Sequence, residues 1–185
     1  DQLLATSPLR SDAEQRRRAL EFAGKFRSGV HDLSINHDLY LVEAYETVEH
    51  LSYEVFVDTS AILALSDPED ISHTLATKIW QRQLIEEHQL TTTNYVLVET
   101  VILLQSRIGV EAVREFQDAI VPLLKPIWID KDVHEASIEA LLLANLRRLS
   151  LVDCSSMTVA GQKNIQHFFA FDRHFTQRGF ICLLS

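Results

Sequence analysis

Tyr53-Glu54-Val55-Phe56-Val57-Asp58-Thr59-Ser60 is the stretch that decides the fold. Val55, Phe56 and Val57 form a β-branched and aromatic run, the pattern of a strand covered on both faces. The run stops at an acid followed by two hydroxyl residues. In an open α/β sheet, ligands bind beyond the carboxyl ends of the strands, where connections leave in opposite directions. An aspartate at such a strand tip therefore stands at the mouth of a crevice. The pattern returns in Phe168-Phe169-Ala170-Phe171-Asp172-Arg173-His174. Two apolar strands that each end in Asp predict one site assembled from both.

Outward from Asp58, the chain alternates between helical and strand patterns. Ala61–Leu65 predicts a helical turn, and Ser66-Asp67-Pro68 starts a helix that keeps its apolar spacing to about His88. Gln89–Thr92 reads as a second strand, and Asn94 as the cap of a helix ending at Gly109. A further helix runs from Val110 to about Val121. Pro126–Ile129 is a third strand, Val133–Arg147 a helix rich in Ala and Leu, and Leu151-Val152-Asp153 the start of another. Phe168–Phe171 and Ile181–Leu184 complete five strands. Strands alternating with helices imply a parallel sheet covered on both faces, an α/β fold.

Residues 1–50 read differently. Ser11-Asp12-Ala13-Glu14 has capping-box spacing, so a helix is expected to follow and to stop at Gly24. Asn36 is expected to cap a second helix, His37–Glu46. This segment has too little apolar content for a core of its own. Its spaced anchors Phe22, Phe26, Leu39 and Tyr45 predict a tail that lies on the domain formed by residues 51–185.

Composition narrows the function. The net charge is −9, with 6 basic and 9 acidic residues in 1–52 and 11 and 17 in 53–185. That argues against nucleic-acid binding through a broad basic face, so any such contact has to be local or carried by metal ions. Arg16-Arg17-Arg18 reads as a solvated helix face. Absence of an apolar run of membrane-spanning length and of a signal peptide points to the cytoplasm. Cys154 and Cys182 lack zinc-ligand spacing and read as small core residues. Trp80 and Trp128 read as core or interface anchors.

Four acids fall where this layout would gather them. Asp58 and Asp172 end strands, Glu99 lies in the first turns of the helix after the second strand, and Asp153 begins the helix before the fourth. Acids at helix starts are common because they favour the helix dipole. Asp58 and Asp172, coming straight off apolar strands, are expected to have no capping duty. Like charges at about 4 Å repel by roughly 4 kcal/mol at an effective dielectric of 20, so such a cluster persists by protonation or by binding a cation. All-oxygen ligation suits Mg²⁺ or Mn²⁺, ions that clamp and polarise a phosphodiester and generate hydroxide from bound water. Thr59 or Ser60 is placed to hold a metal-bound water.

Val57-Asp58-Thr59-Ser60, Thr92-Thr93-Asn94-Tyr95-Val96-Leu97-Val98-Glu99-Thr100, Ser150-Leu151-Val152-Asp153-Cys154 and Phe171-Asp172-Arg173-His174-Phe175 resemble, in order, the four acidic motifs of PIN domains. Among these, the VapC-type toxins of bacterial toxin–antitoxin pairs are the most similar. The resemblance implies a three-layer sandwich around a five-stranded parallel sheet of order 3-2-1-4-5. It also implies a Mg²⁺- or Mn²⁺-dependent endoribonuclease, with Asp58, Glu99, Asp153 and Asp172 as catalytic metal ligands. PIN toxins pair through their helices, so a homodimer is expected.

Ala23-Gly24-Lys25-Phe26-Arg27-Ser28-Gly29 with Asp32-Leu33-Ser34-Ile35-Asn36-His37-Asp38-Leu39-Tyr40-Leu41 resembles the C-terminal tail of a VapB-type antitoxin. The DNA-binding domain such antitoxins carry is absent from this chain, which argues against DNA binding. Arg27, and next Lys25, would then neutralise the acidic site, in the tail's own domain or swapped into a partner's; a guanidinium fork can bridge two carboxylates where an ammonium cannot.

Two other readings compete. One is a catalytically silent complex of domain and tail acting as a structural or interaction module. The other is a phosphoacceptor receiver domain, which also clusters acids at strand tips. That fold expects a lysine at the end of its last strand, and Phe180–Ser185 has none.

Overall fold

Apolar strands with no polar side are satisfied only when both faces of the sheet are covered. The computed structural model, which describes residues 12–25 and 53–183, has this arrangement. Five parallel strands, β1 (Glu54–Val57), β2 (Gln89–Thr93), β3 (Leu124–Ile127), β4 (His167–Phe169) and β5 (Ile181–Cys182), form one sheet in the order β3-β2-β1-β4-β5. In β1, Val55 and Val57 face one core and Phe56 the other, the two-residue alternation of a strand. Phe56 stacks on Phe168 of β4, its registered neighbour, with ring centroids 4.9 Å apart.

The helices are α1 (Asp12–Phe22), α2 (Thr59–Ser66), α3 (His73–Ile85), α4 (Asn94–Arg107), α5 (Val110–Glu115), α6 (Lys131–Ala144), α7 (Leu151–Lys163) and α8 (Arg173–Gln177). A π-helical turn over Phe116–Ile120 and a 3₁₀ turn over Val121–Leu123 continue α5 into β3. Among the described residues no helix is long and apolar enough to cross a membrane.

Several boundaries differ from the sequence reading, for local reasons. The long helix expected from Ser66 begins only at His73. Asp67 accepts a hydrogen bond from Glu69 N at 2.9 Å and Asp70 one from Ser72 N at 2.7 Å, which holds the intervening residues in turns. Thr93, not Asn94, caps α4, accepting from Val96 N at 3.2 Å. The third strand runs two residues earlier than expected and contains Pro126 opposite Thr92. It lies at the sheet edge, where a missing N–H is tolerated.

Helix α1 packs into the main core rather than beside it. Ala19 and Phe22 are buried there, and the Trp80 indole N–H donates to Ala19 O at 3.1 Å. Gly24, at φ +78°, ends the helix, and its N–H donates to Leu65 O. The arginine triplet is used in ion pairs: Arg16 with Glu87, Arg17 with Glu14 and Glu21, Arg18 with Asp118. Trp80, completely enclosed, belongs to the core and has no surface to offer a partner. Ser11 and the expected helix His37–Glu46 lie outside the described residues.

Because Phe22 fills a site with no solvent access, Phe22→Ala is expected to destabilise the whole domain by about 3–5 kcal/mol. Urea unfolding checks this. A loss under about 1 kcal/mol would mean that α1 is not part of the folded unit.

Candidate active site

The parallel sheet places the tips of β1 and β4 side by side, and the first two acids with them. Asp58 follows β1, and its backbone N–H donates to Phe169 O at 3.1 Å, extending the β1–β4 pairing to the acid. Asp58 as a whole is 4% exposed. Oδ2 accepts two hydrogen bonds from Ser60, from N at 3.0 Å and from Oγ at 2.6 Å. The Ser60 hydroxyl in turn accepts from Phe171 N at 3.0 Å. One side chain thus ties the acid of β1 to the segment that carries the acid of β4.

Asp58 therefore does cap a helix, α2, and Asp172 caps α8 by accepting from His174 N at 3.2 Å. The expectation that these two acids have no capping duty is corrected: each strand turns directly into a helix, so the residue at the strand tip is also the N-cap. Asp153 closes a capping box at the start of α7, with Ser150 N donating to its Oδ2 at 2.8 Å and its own N–H donating to Ser150 Oγ at 3.0 Å. The Ser150-x-x-Asp153 spacing carries that signal in the sequence. In all three acids the cap occupies one oxygen and fixes the rotamer, while the second oxygen accepts no hydrogen bond from the described residues.

The four acids are electrostatically linked. Burial, helped by the fields of Asp153 and Glu99 and opposed by the Ser60 hydrogen bonds, pushes the Asp58 carboxyl up to about 6. Asp153 is also raised, first by burial and then by Asp172, against its bonds from Ser150. The Cys182 thiol is pushed up to about 11 by burial, with Asp58 and Asp172 adding to the rise. Glu99 is half-buried on α4. His174 Nε2 lies 3.0 Å from Arg148 O and 3.6 Å from Asp172 Oδ1, joining the loop before α7 to the start of α8.

The other predicted residues divide. Ser60 touches Asp58 directly. Thr59 does not take part: its hydroxyl is turned into the α2–α4 contact, where it donates to Val96 O at 3.5 Å and accepts from Thr100 Oγ1 at 3.4 Å. As the first residue of α2 it falls on that helix's buried side. Lys25 is corrected as well. Past the turn at Gly24 its ammonium pairs with Glu115 at 2.8 Å rather than with any of the four acids of its own chain. Phe22 is a core residue, and Phe26, Arg27, Leu39 and Tyr45 lie outside the described residues.

The donor chemistry suits a hard divalent cation: buried or half-buried carboxylate oxygens, short of positive charge. Among the described residues, no group of three or more His, Cys, Asp or Glu side chains converges to hold an ion in this structure. The fit thus rests on the carboxylates' charge and free oxygens, not on a preformed coordination sphere.

The sequence pattern of the PIN domain matches residues 55–181. The 23S rRNA-specific endonuclease VapC20 of Mycobacterium tuberculosis, from strains CDC 1551 / Oshkosh and H37Rv, is 33% identical over 128 residues, which span 69% of this chain and 95% of the relative. The crystal structure of M. tuberculosis VapC20, described as a sarcin-ricin loop cleaving toxin, superimposes with a TM-score of 0.62 at 32% identity, over 69% of this chain and 96% of that one. Order of strands, order of acidic motifs and these likenesses agree: the chain belongs to the PIN-domain family, alongside its VapC-type members.

Proposed function

We propose that this protein is a Mg²⁺- or Mn²⁺-dependent endoribonuclease toxin whose own antitoxin-like N-terminal segment holds it inactive. The observation that carries the reading is the linked set Glu99, Asp58, Asp153 and Asp172, with Asp58 buried and its carboxyl raised to about 6 by burial and by neighbouring acids. A protein keeps such a group when a cation compensates it during function. The free oxygens of Asp58, Asp153 and Asp172, with Glu99 from α4, are the ligands offered. A bound divalent ion would polarise the scissile phosphate and activate a water. Asp58 is held in place by Ser60, Asp153 by Ser150 and Asp172 by the start of α8. The substrate class suggested by the relatives is a structured ribosomal RNA loop.

The tail supplies the regulation. Helix α1 is locked into the core by Phe22, Ala19 and Trp80, so the following residues leave from a fixed point at Gly24. With Lys25 committed to Glu115, Arg27 is the cation of this stretch left to neutralise the acids, in its own domain or in a partner's. For the homodimer, exposed apolar side chains on two helices, Val98 and Ile102 on α4 and Leu142 and Leu143 on α6, replace Trp80 as its anchors.

Three outcomes test this reading. With labelled RNA and Mg²⁺ or Mn²⁺, Arg27→Ala in the full chain should cut at least tenfold faster than the parent, and adding Asp58→Asn should abolish cutting. If Arg27→Ala stays inert while folded and loaded with metal, the silent-module reading gains. Ile102→Asp should turn a dimer into a monomer by sedimentation at tens of micromolar; an unchanged mass would place the contact elsewhere.

The third outcome concerns pH. Asp58 carries a carboxyl whose folded value is raised, so its stability contribution is complete below the unfolded value near 4 and is lost as pH rises through about 6. Without metal, Asp58→Asn should therefore be more stable than the parent at pH 8, by about 2–3 kcal/mol at most. That gain should shrink through pH 6 and vanish below about pH 4. A pH-independent difference would contradict the assignment.

A further inference from the structure

Trp128 is 74% exposed, while Trp80 is fully enclosed. An indole left almost wholly in water forgoes a large apolar burial. Its backbone is nevertheless held firmly. Trp128 comes directly off the carboxyl end of β3, and the next residue, Ile129, donates its N–H to Asn94 Oδ1 at 2.8 Å. Ile129 and Val133 pack into the second core. The indole is thus a fixed projection on a rigid support.

Its location gives it a use. The carboxyl edge that carries Trp128 is the edge that carries Asp58 and Asp172, and β3 lies two strands from β1, about 10 Å across the sheet. Asn94, which pins this segment, is the first residue of α4, the helix that bears Glu99. Between them stands Tyr95, one helical turn before Glu99 and on the same face. The Tyr95 hydroxyl lies 2.8 Å from His134 Nδ1 of α6. The carboxyl edge thus carries Trp128 and, at the start of α4, Tyr95 together with the acids.

We infer that Trp128 is a stacking platform for an unpaired base of the RNA substrate, beside the cleavage site. This rests on the nuclease reading and extends it to how the substrate is held. With a net charge of −9 and a pI near 5.3, the chain cannot draw RNA in by neutralising many phosphates. Stacking on an indole gives affinity without cations, and it selects bases splayed out of a loop over a continuous duplex. The other candidate occupant is a second copy of the chain. The carboxyl edge shared with the acids and the position of Trp128 beside the start of the Glu99-bearing helix favour RNA.

The chain's only two tryptophans differ completely in exposure, so fluorescence reports on Trp128. The full-length Asp58→Asn chain is used, which removes the cutting carboxylate and one of the charges that would hold Arg27. It is titrated with a synthetic stem-loop of the sarcin-ricin loop sequence and with the same stem fully paired. The stem-loop should quench the exposed indole and shield it from iodide. Trp128→Ala should bind the stem-loop about 5- to 100-fold more weakly, and Trp128→Phe should recover most of that. The salt dependence should not change, since no phosphate contact is lost. Equal binding by Trp128→Ala would overturn the inference, and a simultaneous fall from dimer to monomer mass would assign the indole to a protein interface. In the chain with Asp58 intact and Arg27→Ala, undiminished cutting by Trp128→Ala would sink the platform and leave the nuclease reading standing. RNA neither bound nor cut by any form would sink both.

Discussion

The hydroxyl of Ser60 carries the constraint on which the site depends. It donates to Asp58 Oδ2 and accepts from Phe171 N, at 2.6 and 3.0 Å. Parallel strands bring the tips of β1 and β4 together, but backbone pairing ends with Asp58 N and Phe169 O. Beyond that point each chain turns into its own helix. Past that point the Ser60 bridge joins the two like-charged strand tips. The same bridge takes up one oxygen of Asp58 and leaves the other available.

Capping is the general form of this device. Asp58, Asp153 and Asp172 each satisfy a helix start with one carboxylate oxygen. The dipole of a helix N-terminus favours the ionised acid, which offsets part of the repulsion among the carboxylates. Burial works in the opposite direction, and at Asp58 it wins, since its carboxyl is raised to about 6. Structural and chemical duties are therefore not alternatives here. The acids that start the helices are also the acids left short of positive charge.

Much of this was legible in the sequence, because Val55-Phe56-Val57 and Phe168-Phe169 admit few environments other than a doubly covered strand. The strand order came with the resemblance of the four acidic motifs to PIN domains, and the sheet has it. What was not legible depended on phase and on neighbours distant in sequence. Thr59 and Ser60 look equivalent as residues, yet the step of about 100° between successive helical residues sends the first hydroxyl to Val96 and the second to Asp58. Asn94 looks like a cap but bonds to Ile129, thirty-five residues away, while Thr93 caps the helix. Lys25 looked like a match for the acidic site until the turn at Gly24 directed it to Glu115. Trp80 and Trp128 are indistinguishable by type and lie at opposite extremes of exposure.

The central claim is that the acids form a cation site for which the tail's Arg27 competes. Calorimetric titration of Mn²⁺ into the full chain, Arg27→Ala and Asp58→Asn tests it most directly. The account predicts tightest binding by Arg27→Ala, weaker binding by the parent, and little or none by Asp58→Asn. Equal Mn²⁺ affinity in all three would contradict it.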